Sequence, residues 1–452
     1  MEHYIFYCKL SLLAVLSLIT ACCMLSRRWY VNLAAFLACL SGETFLAHLF
    51  FPGYMLCPAA ASFIILFLSR IWDLSRTPAK GNGADPIRLP VRSGIRESRL
   101  EFYYHYSNFL VYGGAGSGKT KSIGKWLLSE YMRLGFAGFI YDFKDTDYTR
   151  TAYNLIKRHR YPHKFYYVSF DRPERSYRFN PLKVVRDRTE LIQLMEDVLL
   201  ALLPKKEQQN EWVAGGLGIL RGVAFRFWDE FPEHCTLPHI LAFIMTASAR
   251  QLSLFLQQNL VSEMLAGAYL KAEGSEKTQA SYLSTLCNNL ATISQNEEIA
   301  YVLSGDDFDF NLIDPETPKL FAVSNNFSEN SVYAPVISML MTISARQFSM
   351  QNRIPFVYFL DEMTTVNIKN FETLPSVLRE YKAAFILLTQ SGAKLENLYG
   401  KLDRSSVEAN FGNMFLGRTK DVEALKYYPL FFGKEEKERR SRSSGKSGAS
   451  SS

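Results

Sequence analysis

The sequence predicts an α/β protein. Its sheet is buried on both faces, interrupted by an inserted all-α domain and preceded by apolar helices that span a membrane. Three observations carry this: a glycine-rich loop between a strand-like and a helix-like stretch, an apolar run that ends in two carboxylates 242 residues downstream, and helical apolar spacing through most of the interval.

The strand Asn108-Phe109-Leu110-Val111-Tyr112 opens the pattern. The loop that follows, Gly113-Gly114-Ala115-Gly116-Ser117-Gly118-Lys119-Thr120, fits G-x-x-x-x-G-K-[ST] at every fixed position. Residues 121–134 then read as an amphipathic helix. Glycines let successive N–H groups turn toward a phosphate, and the helix start adds its positive dipole end. Lys119 is positioned to reach the β- and γ-phosphates of ATP, and Thr120 to hold Mg2+. A chance glycine-rich turn is the alternative, and the strand–loop–helix context argues against it.

Such a loop requires a metal-side carboxylate at the end of a buried strand. Phe356-Val357-Tyr358-Phe359-Leu360 is apolar throughout, as a strand covered on both faces must be, and ends in Asp361-Glu362. Asp361 is the expected Mg2+ ligand and Glu362 the residue that polarises the attacking water. A further strand, Ala384-Phe385-Ile386-Leu387-Leu388, ends in Thr389-Gln390-Ser391. Ligands bind at the carboxyl ends of strands in such sheets, so Gln390 either senses the γ-phosphate or caps the next helix.

Between the motifs the texture changes. From Thr189 to about Ile299 apolar residues recur at helical spacing. Leu191, Leu194, Met195, Val198 and Leu199 form one stripe, and Val213, Leu217, Leu220, Val223 and Ala224 another. Leu241, Ile244, Leu252 and Leu256 belong to further helices, residues 261–270 continue the pattern, and Pro204, Pro232 and Pro238 punctuate it. Long structureless loops are scarce in compact proteins, so an all-α insertion at 189–300 is expected. It divides a nucleotide-binding domain into parts at 76–188 and 301–433.

Residues 1–75 hold apolar runs at 10–25, 31–51 and 54–68, which predict two or three membrane passes. Arg27 and Arg28 follow the first run and Arg70, Arg76 and Lys80 the third, while Pro52-Gly53 carries no positive charge. The positive-inside rule puts the chain after Arg70 in the cytoplasm, with ATP. Glu43 should then face another helix rather than lipid. A lipoprotein signal ending at Ile19-Thr20-Ala21-Cys22 is the rival reading, but it exports an ATPase away from ATP.

Of the net charge of +7, the first 80 residues and the last 19 carry about +3 each, leaving the core nearly neutral. Bulk charge therefore does not mark a nucleic-acid protein, and any DNA path must be a local lining. Of seven cysteines, five lie in or beside the apolar segments and only Cys235 and Cys287 fall in the rest of the chain, and no C-x-x-C or zinc spacing occurs. No disulfide framework or transition metal is expected. The Ser/Arg-rich tail at 434–452 is of low complexity and predicts disorder.

Together these residues resemble the TraG/TraD family of conjugation ATPases, the type IV secretion coupling proteins. The likeness extends over residues 105–435. Asp142-Phe143-Lys144 stands where the family often has Asp-Pro-Lys. Phe179-Asn180-Pro181-Leu182 and Leu374-Pro375-Ser376-Val377-Leu378 match recurrent stretches, as does the return from the insert at Phe308-Asp309-Phe310 and Lys319-Leu320-Phe321-Ala322-Val323. Thr389-Gln390-Ser391 followed by Leu395-Glu396-Asn397-Leu398-Tyr399-Gly400 is the most distinctive.

The resemblance implies a RecA-like P-loop domain and a multi-pass protein of the bacterial inner membrane. It also implies a homo-oligomeric ring, commonly a hexamer. Such proteins receive a relaxase bound to single-stranded DNA, within the relaxosome, and pass it to the secretion channel. Relatives carry an arginine finger in the helix after the Asp-Glu motif. Arg379 is the candidate here, at a spacing that departs from the pattern, and a solvated helix charge is its other reading. Relatives also continue past the Ser/Arg-rich segment, so a truncated or reduced terminal domain is expected. Two other functions fit the same motifs: a double-stranded DNA pump of the FtsK/HerA kind, and a coupling scaffold that does not hydrolyse ATP.

Overall fold

The computed structural model describes residues 85–93, 96–203 and 207–432, together with Ile5, Tyr7, Lys9, Ser11, Thr44 and Phe45. The expected membrane passes and the tail lie outside these residues. Among the described residues no helix is long and apolar enough to cross a membrane. The chain from Asp85 onward forms one compact unit.

It opens with an antiparallel hairpin, β1 (Ile87–Ser93) and β2 (Arg96–Phe102). A seven-stranded sheet follows, built from β3 (Phe109–Tyr112), β4 (Ala137–Asp142), β5 (Lys164–Ser169), β6 (Lys319–Ser324), β7 (Phe356–Asp361), β8 (Ala383–Thr389) and β9 (Asn413–Leu416). Every pairing in it is parallel, in the order β5-β6-β4-β7-β8-β3-β9. Parallel strands need crossovers, and the intervening helices supply them.

The strands alternate between two cores, as a period of two requires. Phe109, Val111, Ile140, Val357, Phe359, Ile386 and Leu388 face one core. There they meet α1 (Lys125–Arg133) and α2 (Asp147–His159) through Leu127, Leu128, Tyr131 and Tyr148. Leu110, Tyr141, Phe321, Tyr358, Leu360 and Phe385 face the other core.

That second core continues without a break into the helical insert. The insert comprises α3 (Arg188–Ala201), α4 (Glu211–Glu230), α5 (Leu237–Thr246), α6 (Ala249–Gln257), α7 (Leu260–Leu265), α8 (Gly267–Lys271), α9 (Glu276–Ser294) and α10 (Glu297–Leu303). Both apolar stripes read from the sequence are buried throughout. Side chains of Asp187, Asn210, Thr236, Ser248, Asn259 and Asn296 accept backbone N–H groups at six of these helix starts, each a cap of about 1 kcal/mol. In α7 the apolar pattern does not run inward: Leu260 and Met264 are exposed.

The chain returns through β6, then α11 (Asn330–Arg346), whose Arg346 pairs with Asp197 of α3 at 3.0 Å. After β7 come α12 (Leu374–Glu380), α13 (Gly392–Tyr399), α14 (Lys401–Ala409) and α15 (Val422–Phe432). Asn108 ties three strand starts together. Its amide donates to the carbonyls of Pro375 and Asn410 and accepts from Phe385 N–H, at 2.8–3.2 Å.

Candidate active site

Because β8 lies between β3 and β7, three strand tips end side by side. Tyr112 is opposite Thr389, and Asp361 is opposite Leu388. Gly113, Gln390 and Glu362 therefore leave the sheet at one edge, the carboxyl edge where α/β sheets bind ligands.

The glycine loop is anchored on both flanks. Gly113 N–H donates to Thr389 O at 3.2 Å, Gly114 N–H to Arg418 O at 3.1 Å, and Gly417 N–H to Tyr112 O at 2.7 Å. Gly116 and Gly118 have φ of 71° and 86°, which L side chains rarely adopt. Six residues in π-helical geometry, Lys119–Gly124, then lead into α1. Such turns are frequent at functional sites.

Lys119 is turned inward and 6% exposed. Its Nζ donates to Gly113 O at 3.0 Å and to Glu362 Oε1 at 2.6 Å, so residues 243 apart in sequence form a buried ion pair. Glu362 holds a left-handed backbone, φ 46° and ψ 47°, which is strained for a residue with a side chain. The N–H and hydroxyl of Thr365 both donate to its carbonyl, at 2.9 and 2.7 Å, and fix that conformation. A third charge approaches from the loop after β4: Lys144 Nζ lies 3.5 Å from Glu362 Oε1 and 4.0 Å from Asp361 Oδ2. Asp142 shapes that loop by accepting from Thr149 N–H and hydroxyl and from Lys144 N–H.

Asp361 is fully buried, and neither carboxylate oxygen has a hydrogen-bond partner. Burial pushes its carboxyl up to about 7, with Lys144 pulling against the neighbouring Glu362 and Asp142 carboxylates. Ser117 Oγ, Glu362 Oε2 and Thr389 Oγ1 are also buried without partners. Buried polar atoms are normally satisfied, so this cluster marks a site built for a polar ligand. Hard oxygen donors beside a cradle of N–H groups and an ammonium fit a divalent cation with a phosphate chain.

The loop residues Gly113 to Thr120, with Asp361 and Glu362, thus converge, with Thr120 half-buried directly after Lys119. Gln390 stands beside Gly113 at the β8 tip. The cap position of α13 is Ser391, so Gln390 does not cap that helix. Arg379 is not brought to this site. It is exposed near the end of α12, just before β8 begins, and the seven-residue β8 separates it from the carboxyl edge by roughly 20 Å.

One neighbour of the site, Lys144, was not singled out from the sequence, and a second, Arg418, was legible there only as a reserve candidate for the arginine finger, with Lys382, should Arg379 fail. Lys144 was visible only as part of Asp142-Phe143-Lys144, whose lysine the register of β4 beside β7 carries to the carboxylates. Arg418, exposed beside the glycine loop, follows the four-residue strand β9, too short to show periodicity.

No curated protein gives a significant match to this chain. Solved structures do. The bacterial conjugative coupling protein TrwBdeltaN70, in a trigonal form with sulphate, superposes with a TM-score of 0.55 at 16% identity, over 76% of this chain and 75% of that one. Plasmid coupling protein TrwB in complex with ADP and Mg2+ gives 0.55 at 17% identity, over 73% and 79%. The same protein with a non-hydrolysable ATP analogue gives 0.54 at 17%, over 74% and 80%. At these identities the likeness establishes the fold, a RecA-like P-loop sheet with a helical domain. The family profile for the type IV secretion-system coupling protein DNA-binding domain matches residues 100–452, more than three quarters of the sequence. The chain belongs to the type IV secretion-system coupling proteins.

Proposed function

We propose that this chain is a membrane-anchored ATPase that drives single-stranded DNA, with its bound relaxase, toward a type IV secretion channel. The observation that carries the reading is the buried meeting of Lys119, Glu362 and the unpartnered Asp361 at the tip of the glycine loop. Complexes of the structurally similar TrwB with ADP and Mg2+ and with an ATP analogue support ATP as the substrate.

In this reading the N–H groups at the Gly118–Thr120 end of the loop, past those that anchor Gly113 and Gly114 to the flanks, cradle the phosphates. Thr120 and Asp361 would hold Mg2+, which would supply positive charge to the phosphate oxygens. Lys119 exchanges its carboxylate partner for the β- and γ-phosphates. That exchange releases Glu362 to accept a proton from the attacking water as it adds to the γ-phosphorus, while ADP departs. Gln390, at the neighbouring strand tip, reports the γ-phosphate. Arg379, exposed and remote from the site of its own chain, serves a neighbouring subunit in a hexameric ring.

The test is ATP turnover by the purified full chain in detergent, alone, with single-stranded DNA and with duplex DNA. Stimulation by single strands supports the proposal. Stimulation by duplex alone supports a double-stranded DNA pump, and no turnover under any condition supports a coupling scaffold. Either of these results overturns it.

A further inference from the structure

We propose that the loop after β6 is a contact for single-stranded DNA, with Phe327 stacking on a base, and that Asn325 links this loop to Glu362. The inference rests on the ATPase reading above and adds to it the residues that connect polymer to catalysis.

Phe327 is 84% exposed, although a phenylalanine left in water gives up most of its burial energy. It is not on a loose segment. Asn326 Oδ1 accepts the N–H groups of Ser328 and Glu329, at 2.7 and 3.2 Å, and so clamps the backbone on the far side of the ring. Asn326 N–H donates to Asn325 Oδ1 at 2.8 Å. Asn325 itself is 1% exposed, and its backbone N–H donates to Asp142 O at 2.9 Å. A rigid base thus presents an apolar ring to solvent.

From Asn325 a chain of hydrogen bonds runs to the catalytic glutamate. Asn325 Nδ2 donates to Tyr141 OH at 2.9 Å, Tyr141 OH meets Thr365 Oγ1 at 2.6 Å, and Thr365 Oγ1 donates to Glu362 O at 2.7 Å. Since Thr365 gives its proton to Glu362, Tyr141 must donate to Thr365. All three links then point the same way, and each bond polarises the next. The chain ends on the one residue of the site with a strained left-handed backbone. A shift at Asn325 therefore changes how firmly Glu362 is held against Lys119. Asn325 is a positioning residue.

The surroundings say what the ring takes. Ser324 is opposite both Ser169 and Asp142, so the loops after β5 and β4 flank the Phe327 loop. They carry Arg172, Arg175 and Lys144, all substantially exposed. Arg172 is paired with Asp145 and Asp171, and Arg175 with Glu174. Local charge is therefore largely balanced, which favours base stacking over phosphate attraction. A strongly exposed aromatic among modest cations suits single-stranded nucleic acid, whose bases present open π-faces regardless of sequence.

The test uses the full chain, a thymidine oligonucleotide and ATP turnover titrated with that oligonucleotide. Phe327→Ala should raise the concentration for half-maximal stimulation at least about fivefold, the loss of one stacked base, with the salt dependence of binding unchanged. Phe327→Tyr should restore it. Phe327→Trp should add a saturable fluorescence quench to that of the five native tryptophans. Asn325→Asp keeps the acceptor for Asn326 but removes the donor shared by Tyr141 OH and, at 2.7 Å, Asn330 Oδ1. It should lower maximal stimulation while leaving the half-maximal concentration in place, a split that mere destabilisation does not produce. Leu402→Ala, 83% exposed on α14, is the control and should match the native protein.

If DNA stimulates the native protein and Phe327→Ala equally, or if Phe327→Ala alters only the oligomeric state, the loop is not a DNA contact and the ATPase reading survives. If Asn325→Asp matches the native protein, the link to Glu362 is refuted. If DNA never stimulates the native protein, both readings fall.

Discussion

Replacing Lys119 with alanine should destabilise the protein as well as silence it, and the structure sets the size of the effect. The ammonium and the Glu362 carboxylate are 5% and 3% exposed and 2.6 Å apart. Removing one member of such a pair leaves a buried charge, typically at a cost of 3–5 kcal/mol. Here Lys144, 3.5 Å from the same carboxylate, remains as a partial partner, so the low end, about 3 kcal/mol, is expected. Replacing both members by apolar residues, Lys119→Met with Glu362→Leu, should recover more than 1 kcal/mol of that loss. Chemical denaturation of the native protein, of Lys119→Met and Glu362→Leu singly and of the double variant completes the cycle, with Lys119→Ala measured beside it, all with and without Mg-ATP. Nucleotide at a hundred times its Kd should add about 2.7 kcal/mol to the native protein and nothing to Lys119→Ala. The reasoning is refuted if Lys119→Ala is as stable as the native chain, or if it still gains stability from nucleotide.

Further outcomes bear on chemistry, assembly, pH and topology. Glu362→Gln should bind ATP yet turn it over about 10²–10⁴ times more slowly, since only proton acceptance is lost; equal rates in single turnover would remove Glu362 from the role. Arg379→Ala subunits should bind ATP without hydrolysing it, and mixing them with Lys119→Ala subunits should restore turnover; no rescue in rings shown to be mixed counts against Arg379. His159 is held below its ordinary value of 6.5, chiefly by burial and then by Arg158, and its ring meets Ser129 Oγ at 2.9 Å. The unfolded chain takes up this proton first, so stability is full above about pH 6.5 and falls as the pH drops through the folded value. His159→Gln should flatten that part of the pH–stability curve. A reporter fused at Ala84 should act as cytoplasmic and one at Gly53 as exported, and the reverse pattern would overturn the anchor's orientation.

What was legible in the sequence depended on how local its cause was. The glycine loop was readable because fixed spacings demand specific residues, and its positive-φ positions fall on glycines. Strand β7 was readable because a strand buried on both faces must be apolar throughout. The insert showed itself through stripes whose members are now buried. Its short helix α7 misled, since six residues barely make two turns and two of the apolar ones point outward. The edge strand β9, of four residues, carried too few to declare a period, while of the seven-residue hairpin strands Pro90 disguised β1 and a run of charges disguised β2. Least legible were the features that need distant segments together. The strained backbone of Glu362, its pairing with Lys119 and the approach of Lys144 depend on strand order. That order places β8 between β3 and β7, and no local pattern encodes it.

The place of β3 within the sheet has a consequence for how the chain is made. The strand that carries the glycine loop pairs only with β8 and β9, and Asn108 at its start bonds to Pro375, Phe385 and Asn410. The nearest of these partners lies 267 residues later. At roughly 5–20 residues per second, a ribosome takes on the order of 15–60 s to supply them. Through that interval β3 leaves the exit tunnel with both hydrogen-bonding edges open and its apolar faces uncovered, the condition under which strands associate wrongly. The nascent protein therefore has no completed nucleotide-binding pocket until the chain past Gly417 and Arg418, which anchor the glycine loop, has been translated. ATP cannot chaperone the early stages of folding, and translation that ends within the helical insert leaves a product whose β3 has neither of its neighbouring strands, suited to chaperone capture or degradation.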